Sequence, residues 1–257
     1  MLLRYIFPFI FFTVHIIYAQ KPKEERYEKK DNIELMDYDK EFTYGINWNT
    51  NGGLIGGFSF KYGWQLKKIQ TQYNLLCFEM VEVHHKRELD VSGNSRSSSS
   101  YVLGKEWLMY AFRFSYGREI LLFNKSEEEG VQVSWIFAGG PTLAYRKPVY
   151  VNYIYTRQDQ NQEIRDVKPI RYKADSSTDR IDSPASFFLG VDQMTAHLGV
   201  HARTSLNFEF GHFRNSIAGL EVGGMFEAYT TRMVMIPQVE NQWFFPTMFF
   251  ILYFGIR

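Results

Sequence analysis

Apolar and polar residues alternate along most of this chain. From Glu41 to Asn49, Phe42, Tyr44, Ile46 and Trp48 fall on one face and Glu41, Thr43, Gly45 and Asn47 on the other. A period of two predicts a strand with one apolar side. The second arm repeats it, Phe58, Phe60, Tyr62 and Trp64 against Ser59, Lys61 and Gly63. Between the arms, Asn49-Thr50-Asn51-Gly52-Gly53 carries the Asn-Gly hairpin signal, which calls for positive φ angles. A third strand, about Thr71 to Val83, is less clean, because Leu76, Phe78 and Met80 oppose Tyr73, Leu75 and Val81. The fourth sets Tyr110, Phe112, Phe114 and Tyr116 against Ala111, Arg113, Ser115 and Gly117. The fifth sets Val131, Val133, Trp135 and Phe137 against Gln132, Ser134 and Ala138, with the parity kept through Leu143 and Tyr145. In the sixth, Leu198, Val200, Ala202, Leu206, Phe208 and Phe210 face one way, and His197, His201, Arg203, Ser205, Asn207 and Glu209 the other. The seventh places Leu220, Val222, Phe226 and Ala228 opposite Glu221, Gly223 and Glu227. The eighth, Thr247 to Arg257, is an apolar, aromatic run with no following segment to bury it.

Two architectures accommodate such strands, a soluble β-sandwich and a barrel whose apolar face meets lipid. The connections separate them. In an even-stranded outer-membrane barrel both termini lie in the periplasm, so the second, fourth and sixth turns should be short and the others free to grow. The second (65–70), fourth (119–130) and sixth (212–215) are short or moderate, the third (84–105) and fifth (146–195) are long, and the seventh (230–245) is intermediate. Only the first is short for an outer loop. The expected fold is therefore all-β: an antiparallel up-and-down transmembrane β-barrel of about eight strands. Ten strands stay open, because Val149 to Tyr155 and Ile164 to Tyr172 could form a further hairpin standing above the membrane, with polar residues 158–166 between them.

Composition changes this picture little. Net charge is +1 and the hydrophobic share is 45%, as in an ordinary soluble protein, but aromatics reach 18%. No interior apolar run of about 18 residues exists, which excludes a helical membrane protein and leaves a barrel untouched. Near-neutral charge and the lack of any basic helix give no argument for nucleic acid. The amino terminus predicts export: Arg4 supplies a positive region, Tyr5 to Ile17 an apolar one, and Tyr18-Ala19-Gln20 a cleavage site. Residues 1–19 are thus read as a signal peptide, 20–40 as a charged periplasmic lead-in, and 41–257 as the barrel, with long outer loops near 84–105 and 146–195. Cys77, the single cysteine, has no partner for an internal disulfide and reads as a packing residue.

On the barrel reading the polar faces line the lumen, which then holds Glu41, Lys61, Arg113, His197, His201, Arg203, Glu209, Glu221 and Glu227. An eight-stranded barrel is narrow enough for side chains to fill it. Charges of both signs predict a paired structural network rather than an open pore. A catalytic His-Ser-acid reading places His197 and His201 near the outer rim with Ser205 on the same face, but Ser205 is four residues below His201, about 13 Å along the strand and too far for a hydrogen bond. His84-His85 lacks a third ligand for a metal. Gly139-Gly140-Pro141 has neither the helix nor the lysine of a phosphate loop and suggests a bulge or kink. Ser126-Glu127-Glu128-Glu129-Gly130 reads as a solvated turn.

Several stretches carry a family resemblance. They are the Ala19-Gln20 junction, Glu41-Phe42-Thr43-Tyr44-Gly45-Ile46-Asn47 leading to Asn51-Gly52-Gly53-Leu54-Ile55-Gly56-Gly57, and Tyr116-Gly117-Arg118-Glu119. Ser205-Leu206-Asn207-Phe208-Glu209-Phe210-Gly211 and Leu252-Tyr253-Phe254-Gly255-Ile256-Arg257 complete the set. With these the chain resembles the small Bacteroidota outer-membrane β-barrel proteins, PorT-like or OmpA-barrel-like, although it ends on Arg257 rather than an aromatic. The resemblance implies insertion by the outer-membrane assembly machinery, contact with outer-membrane lipid and no cofactor. It also permits a place as an accessory subunit of a secretion or assembly complex with other envelope proteins. The expectation is a non-enzymatic structural or accessory barrel. A small channel or ligand-transport barrel is the alternative, and a lipid-modifying enzyme a third reading.

Overall fold

The structure, a computed structural model, describes residues 40–53, 56–66, 69–93, 100–124, 130–159, 162–210 and 216–257. The expected signal peptide, all but the last residue of the lead-in, and the Ser126–Glu129 turn lie outside the described residues. Among those described, no helix is long and apolar enough to cross a membrane. Thirteen strands follow in chain order: β1 (Lys40–Asn49), β2 (Gly57–Leu66), β3 (Ile69–Val83), β4 (Asp90–Ser92), β5 (Ser100–Val102), β6 (Trp107–Phe123) and β7 (Gln132–Pro148). After them come β8 (Tyr150–Asp159), β9 (Gln162–Arg171), β10 (Ile181–Pro184), β11 (Thr195–Phe210), β12 (Ser216–Tyr229) and β13 (Phe244–Ile256).

Eight of these close an antiparallel barrel in the order β1-β13-β12-β11-β7-β6-β3-β2. Closure is made by the terminal stretch: β13 pairs with β12 on one side and with β1 on the other, from Phe42 opposite Ile256 to Asn49 opposite Phe249. The expected up-and-down barrel of eight strands is the observed one. The additional hairpin is also present, as β8 and β9, but it pairs with β10 in a separate three-stranded sheet and adds nothing to the barrel wall.

The pleat sorts the side chains as the alternation requires. Along β13 exposure switches at every residue, with Phe245, Thr247, Phe249, Ile251 and Tyr253 inward and Met248, Phe250, Leu252 and Phe254 outward. The outward faces carry paired rings, Trp48 stacked on Phe250 at 5.0 Å and Phe78 tilted by 46° against Phe114 at 5.0 Å. A ten-residue strand is about 33 Å long, and a tilt near 45° brings it to a height of about 23 Å, close to the apolar band of a membrane barrel.

Three local expectations need correction. Asn51-Gly52 does not form a positive-φ hairpin turn: among the described residues the positive-φ glycines are Gly104 and Gly190. Gly52 instead lets the arms of a wider 50–56 connection touch, since a Cβ there would lie 2.7 Å from the Gly56 Cα. Gly139-Gly140-Pro141 is not a bulge. Arg113 opposite Thr142 and Tyr116 opposite Gly139 share one register, and the β6–β7 shift falls instead between Leu121 and Phe123. Gly140 is there because the backbone comes so close to the Phe114 carbonyl that a Cβ would collide with it. Finally, β6 does not stop at Gly117 but runs to Phe123, which moves Glu119 from the expected turn to the inner wall.

Candidate functional site

The lumen is built in layers. Its first layer, at the rim with the long loops, is apolar. Inward residues Val81, Val83, Met109, Ala111, Ala144, Tyr229 and Phe245 meet Met233, Met235 and Ile236 from the connection between β12 and β13. That connection is seated by backbone bonds from Glu106 and Trp107 to the Met235 carbonyl. Asn241 pins it further, accepting from the Met235 amide and donating to the Ile236 and Val239 carbonyls, each at 2.8 Å. Two fully buried methionines thus lie across the barrel mouth. The apolar run Met233-Val234-Met235-Ile236 signals them in the sequence, but alternation analysis treats it as a loop.

Below the methionines lies the first charged layer. Arg113 grips Glu227 through two hydrogen bonds of 2.8 and 2.9 Å and approaches Glu79 at 3.6 Å. Arg203 bridges Glu79 and Glu221, and Ser205 donates to Glu221 at 2.5 Å. Lys61 stands 3.8 Å from Glu221 and 4.0 Å from Glu119, over the Tyr253 ring. The deepest layer, at the terminal rim, joins Arg257 to Glu41 at 3.3 Å and to Glu209 at 2.5 Å. Arginine suits such sites because its planar fork satisfies a carboxylate bidentately.

Eight of the nine sequence-assigned lumen residues therefore lie buried on the inner wall: Glu41, Lys61, Arg113, His201, Arg203, Glu209, Glu221 and Glu227. His197 does not join them. It is the third residue of β11, at the rim and partly exposed, where Arg146 donates to its Nε2 at 2.9 Å and its Nδ1 donates to Thr231 at 3.0 Å. Glu79, Glu119 and Arg257 complete the network. Glu79 escapes notice because its face of β3 also carries Leu75, Cys77, Val81 and Val83, an apolar set in which one carboxylate looks incidental. Cys77 packs against Leu75, Ile136 and Ala138.

His201 has a hydroxyl partner after all, supplied by another strand. Thr142 bonds Glu227 and lies 2.8 Å from His201 Nδ1, and Ser115 Oγ lies 2.7 Å from Nε2. Because the ionised Glu227 only accepts, Thr142 donates to it and accepts from Nδ1–H, leaving Nε2 to accept the Ser115 proton. The proton order is that of a nucleophilic serine, but Ser115 is 2% exposed and His201 5%. The chain of hydroxyls satisfies the polar atoms of these buried groups.

At the long-loop rim the two long connections are themselves folded. Tyr101 of β5 packs with Val151, Tyr172 and Ile181 around Val91, Val149, Tyr153 and Ile170. Tyr101 meets Tyr172 edge-on at 5.9 Å, and Tyr172 accepts a bond from the Gly104 amide at 2.9 Å. Beside this lobe, His84 donates to Glu88 at 2.9 Å and approaches Glu82 at 3.4 Å, while His85 donates to the Glu240 carbonyl. Both histidines thus serve loop geometry.

Burial pushes the Glu88 carboxyl up, but the bonds from His84, Lys105 and the His85 amide outweigh it and hold the group at about 2, below its ordinary 4.5. A carboxylate with a depressed folded value adds stability that is complete above its unfolded value and fades as pH falls toward the folded one. Proteolysis within residues 84–106 is expected to accelerate as pH drops from 5 toward 2, and Glu88→Gln to give the fast rate already at pH 5. An unchanged cleavage rate for Glu88→Gln at pH 5 would contradict this.

No family model matches the chain, and no curated protein matches it. Among solved structures, the chain is similar to Neisserial surface protein A, with 7% identity over 84% of this chain and 94% of that one and a TM-score of 0.36. It is similar also to Ail, the attachment invasion locus protein of Yersinia pestis, crystallised with the heparin analogue sucrose octasulfate. There the identity is 10% over 84% and 95% of the two chains, with a TM-score of 0.35. The closed eight-stranded architecture rests on the strand pairing of this chain itself.

Proposed function

We propose that this protein is a non-enzymatic, integral outer-membrane β-barrel of a Gram-negative envelope, exported by its amino-terminal signal and inserted by the outer-membrane assembly machinery. Its role on this reading is that of an accessory subunit that presents a folded outer lobe to other envelope proteins. The inside-out distribution of side chains supports the membrane placement. Charged groups fill the interior, whereas Tyr44, Phe114, Tyr116, Phe226 and Phe254 stand at 48–61% exposure on the outside. A water-soluble monomer rarely exposes so continuous an apolar surface. The Bacteroidota, PorT-like affinity rests on the strand and turn motifs quoted above.

One observation carries the accessory role. The lumen is filled by paired charges and capped by Met233 and Met235, while the long loops have their own small core. The chemistry on offer is thus a surface rather than a cavity. One edge strand of its three-stranded sheet, β9, carries Lys168 and Pro169, residues that discourage indiscriminate strand addition. A tagged protein drawn from outer membranes in mild detergent is expected to bring a stoichiometric partner. A version with residues 150–184 replaced by a short Gly-Ser linker should lose that partner while keeping its barrel. Recovery of the protein alone would count against the role. In planar bilayers the intact protein should give no steady conductance, and discrete steps of fixed size would contradict the filled lumen.

A further inference from the structure

The connection between β10 and β11 does not rise into the lobe but returns to the outer wall. Ala185 bonds the Tyr150 carbonyl at 3.0 Å, and the Leu189 amide closes a turn onto Ser186 at 3.1 Å. Gly190 then takes a φ of +80°, where a Cβ would lie 2.7 Å from the Tyr150 ring and 2.9 Å from Pro148, so glycine lets the turn press against the strand ends. Phe187 lands on the outward face of the barrel. Its ring meets Tyr110 of β6 edge-on at 6.2 Å, and Lys147 of β7 sits 4.2 Å from its centroid and donates to its carbonyl. Tyr110 heads the outward column Tyr110, Phe112, Phe114 and Tyr116, so Phe187 continues a row of rings that runs down the wall.

Two further side chains of this turn, Phe188 and Val191, face away from the protein. Phe188 is 80% exposed and Val191 43%, in a stretch reading Phe-Phe-Leu-Gly-Val. Leaving these side chains in water would be costly, and the ring of Phe188 meets that of Phe187 edge-on at 5.6 Å while staying open on its outer side. We propose that residues 186–191 are an interfacial anchor, which buries Phe187, Phe188 and Val191 among the lipids of the outer leaflet at the boundary between headgroups and acyl chains. Continuity with the apolar wall selects lipid over a protein partner: the turn is held against that wall by Tyr110 and Lys147, and amphipathic and aromatic side chains gather at this depth in membrane proteins. The Lys147 ammonium, shielded by the Phe187 ring and carbonyl, keeps the turn in place. The anchor fixes the height of the neighbouring lobe above the bilayer.

This inference rests on the membrane placement proposed above, and one experiment tells their failures apart. A nitroxide is placed on a single cysteine at position 188, 250 or 168 in a Cys77→Ala background, and the full chain is reconstituted in phosphatidylcholine vesicles. The accessibility of each label to oxygen, which concentrates in lipid, is compared with that to a water-soluble nickel chelate. Position 250 on the wall should favour oxygen and position 168 on the lobe should favour nickel. Position 188 is expected to favour oxygen severalfold over 168, at a shallower depth than 250. A label at 188 that behaves like 168, with 250 still in lipid, overturns the anchor and leaves the barrel standing. Nickel access at both 188 and 250 overturns the membrane placement and the anchor with it.

Discussion

Arg113→Met is expected to destabilise the folded barrel by about 3–5 kcal/mol, the cost of leaving a buried partner charge uncompensated. Arg113 is 1% exposed and is the bidentate partner of Glu227, while Glu79, the second carboxylate it serves, would keep Arg203 and a 3.4 Å bond from Asn47. Arg113, Glu79 and Glu227 are each at most 2% exposed, so the loss is larger than for a surface pair. The double variant Arg113→Met/Glu227→Gln should recover much of it. The amide keeps an acceptor for Thr142, and removing both charges of a buried pair is often close to neutral. Urea unfolding in lipid vesicles, followed by tryptophan fluorescence, gives the coupling between the two sites directly. A single variant that loses less than about 1 kcal/mol would mean that the layer is hydrated and the interior less closed than described.

Phe250→Arg is expected to cost about 2–4 kcal/mol, the penalty for an arginine facing lipid at mid-depth, whereas Ile256→Arg should cost about 0–1 kcal/mol near the interface. Phe250 is the seventh of the thirteen residues of β13, is 45% exposed and stacks on Trp48; Ile256 ends the strand at the terminal rim and is 62% exposed. The gradient is the informative part. In water, two exposed positions of one strand would each tolerate arginine within about 0.5 kcal/mol, apart from the lost stacking at Phe250. The same urea titration serves for both variants. Equal, small costs would contradict a surrounding bilayer.

Strand positions were legible because the outer wall and the lumen carry opposite chemistry on successive residues, and runs such as Phe226-Glu227-Ala228 display that alternation directly. What joins one strand to another was less legible. The His201–Ser115 contact spans 86 residues, and it follows only once the register of β11 on β7 and of β7 on β6 is known. Ser205, the serine that shares a strand with His201, was the one the sequence could measure. Glu119 was hidden by the early end assigned to its strand, and Arg257 by its reading as a departure from an aromatic terminus. The methionine plug was invisible for a different reason. A loop has no period, so an apolar run within it does not say which surface it covers. His197 shares the parity of the lumen residues but lies too close to the end of its strand to be enclosed.

On the proposed membrane placement the outward Phe and Tyr side chains lie in lipid and the Arg and Glu side chains in a closed lumen, and electrophoresis tests that most directly. A closed membrane barrel resists denaturing detergent until heated, so unboiled protein from outer membranes should migrate differently from the boiled sample. Identical migration, with the protein recovered in the soluble periplasm, would contradict the account.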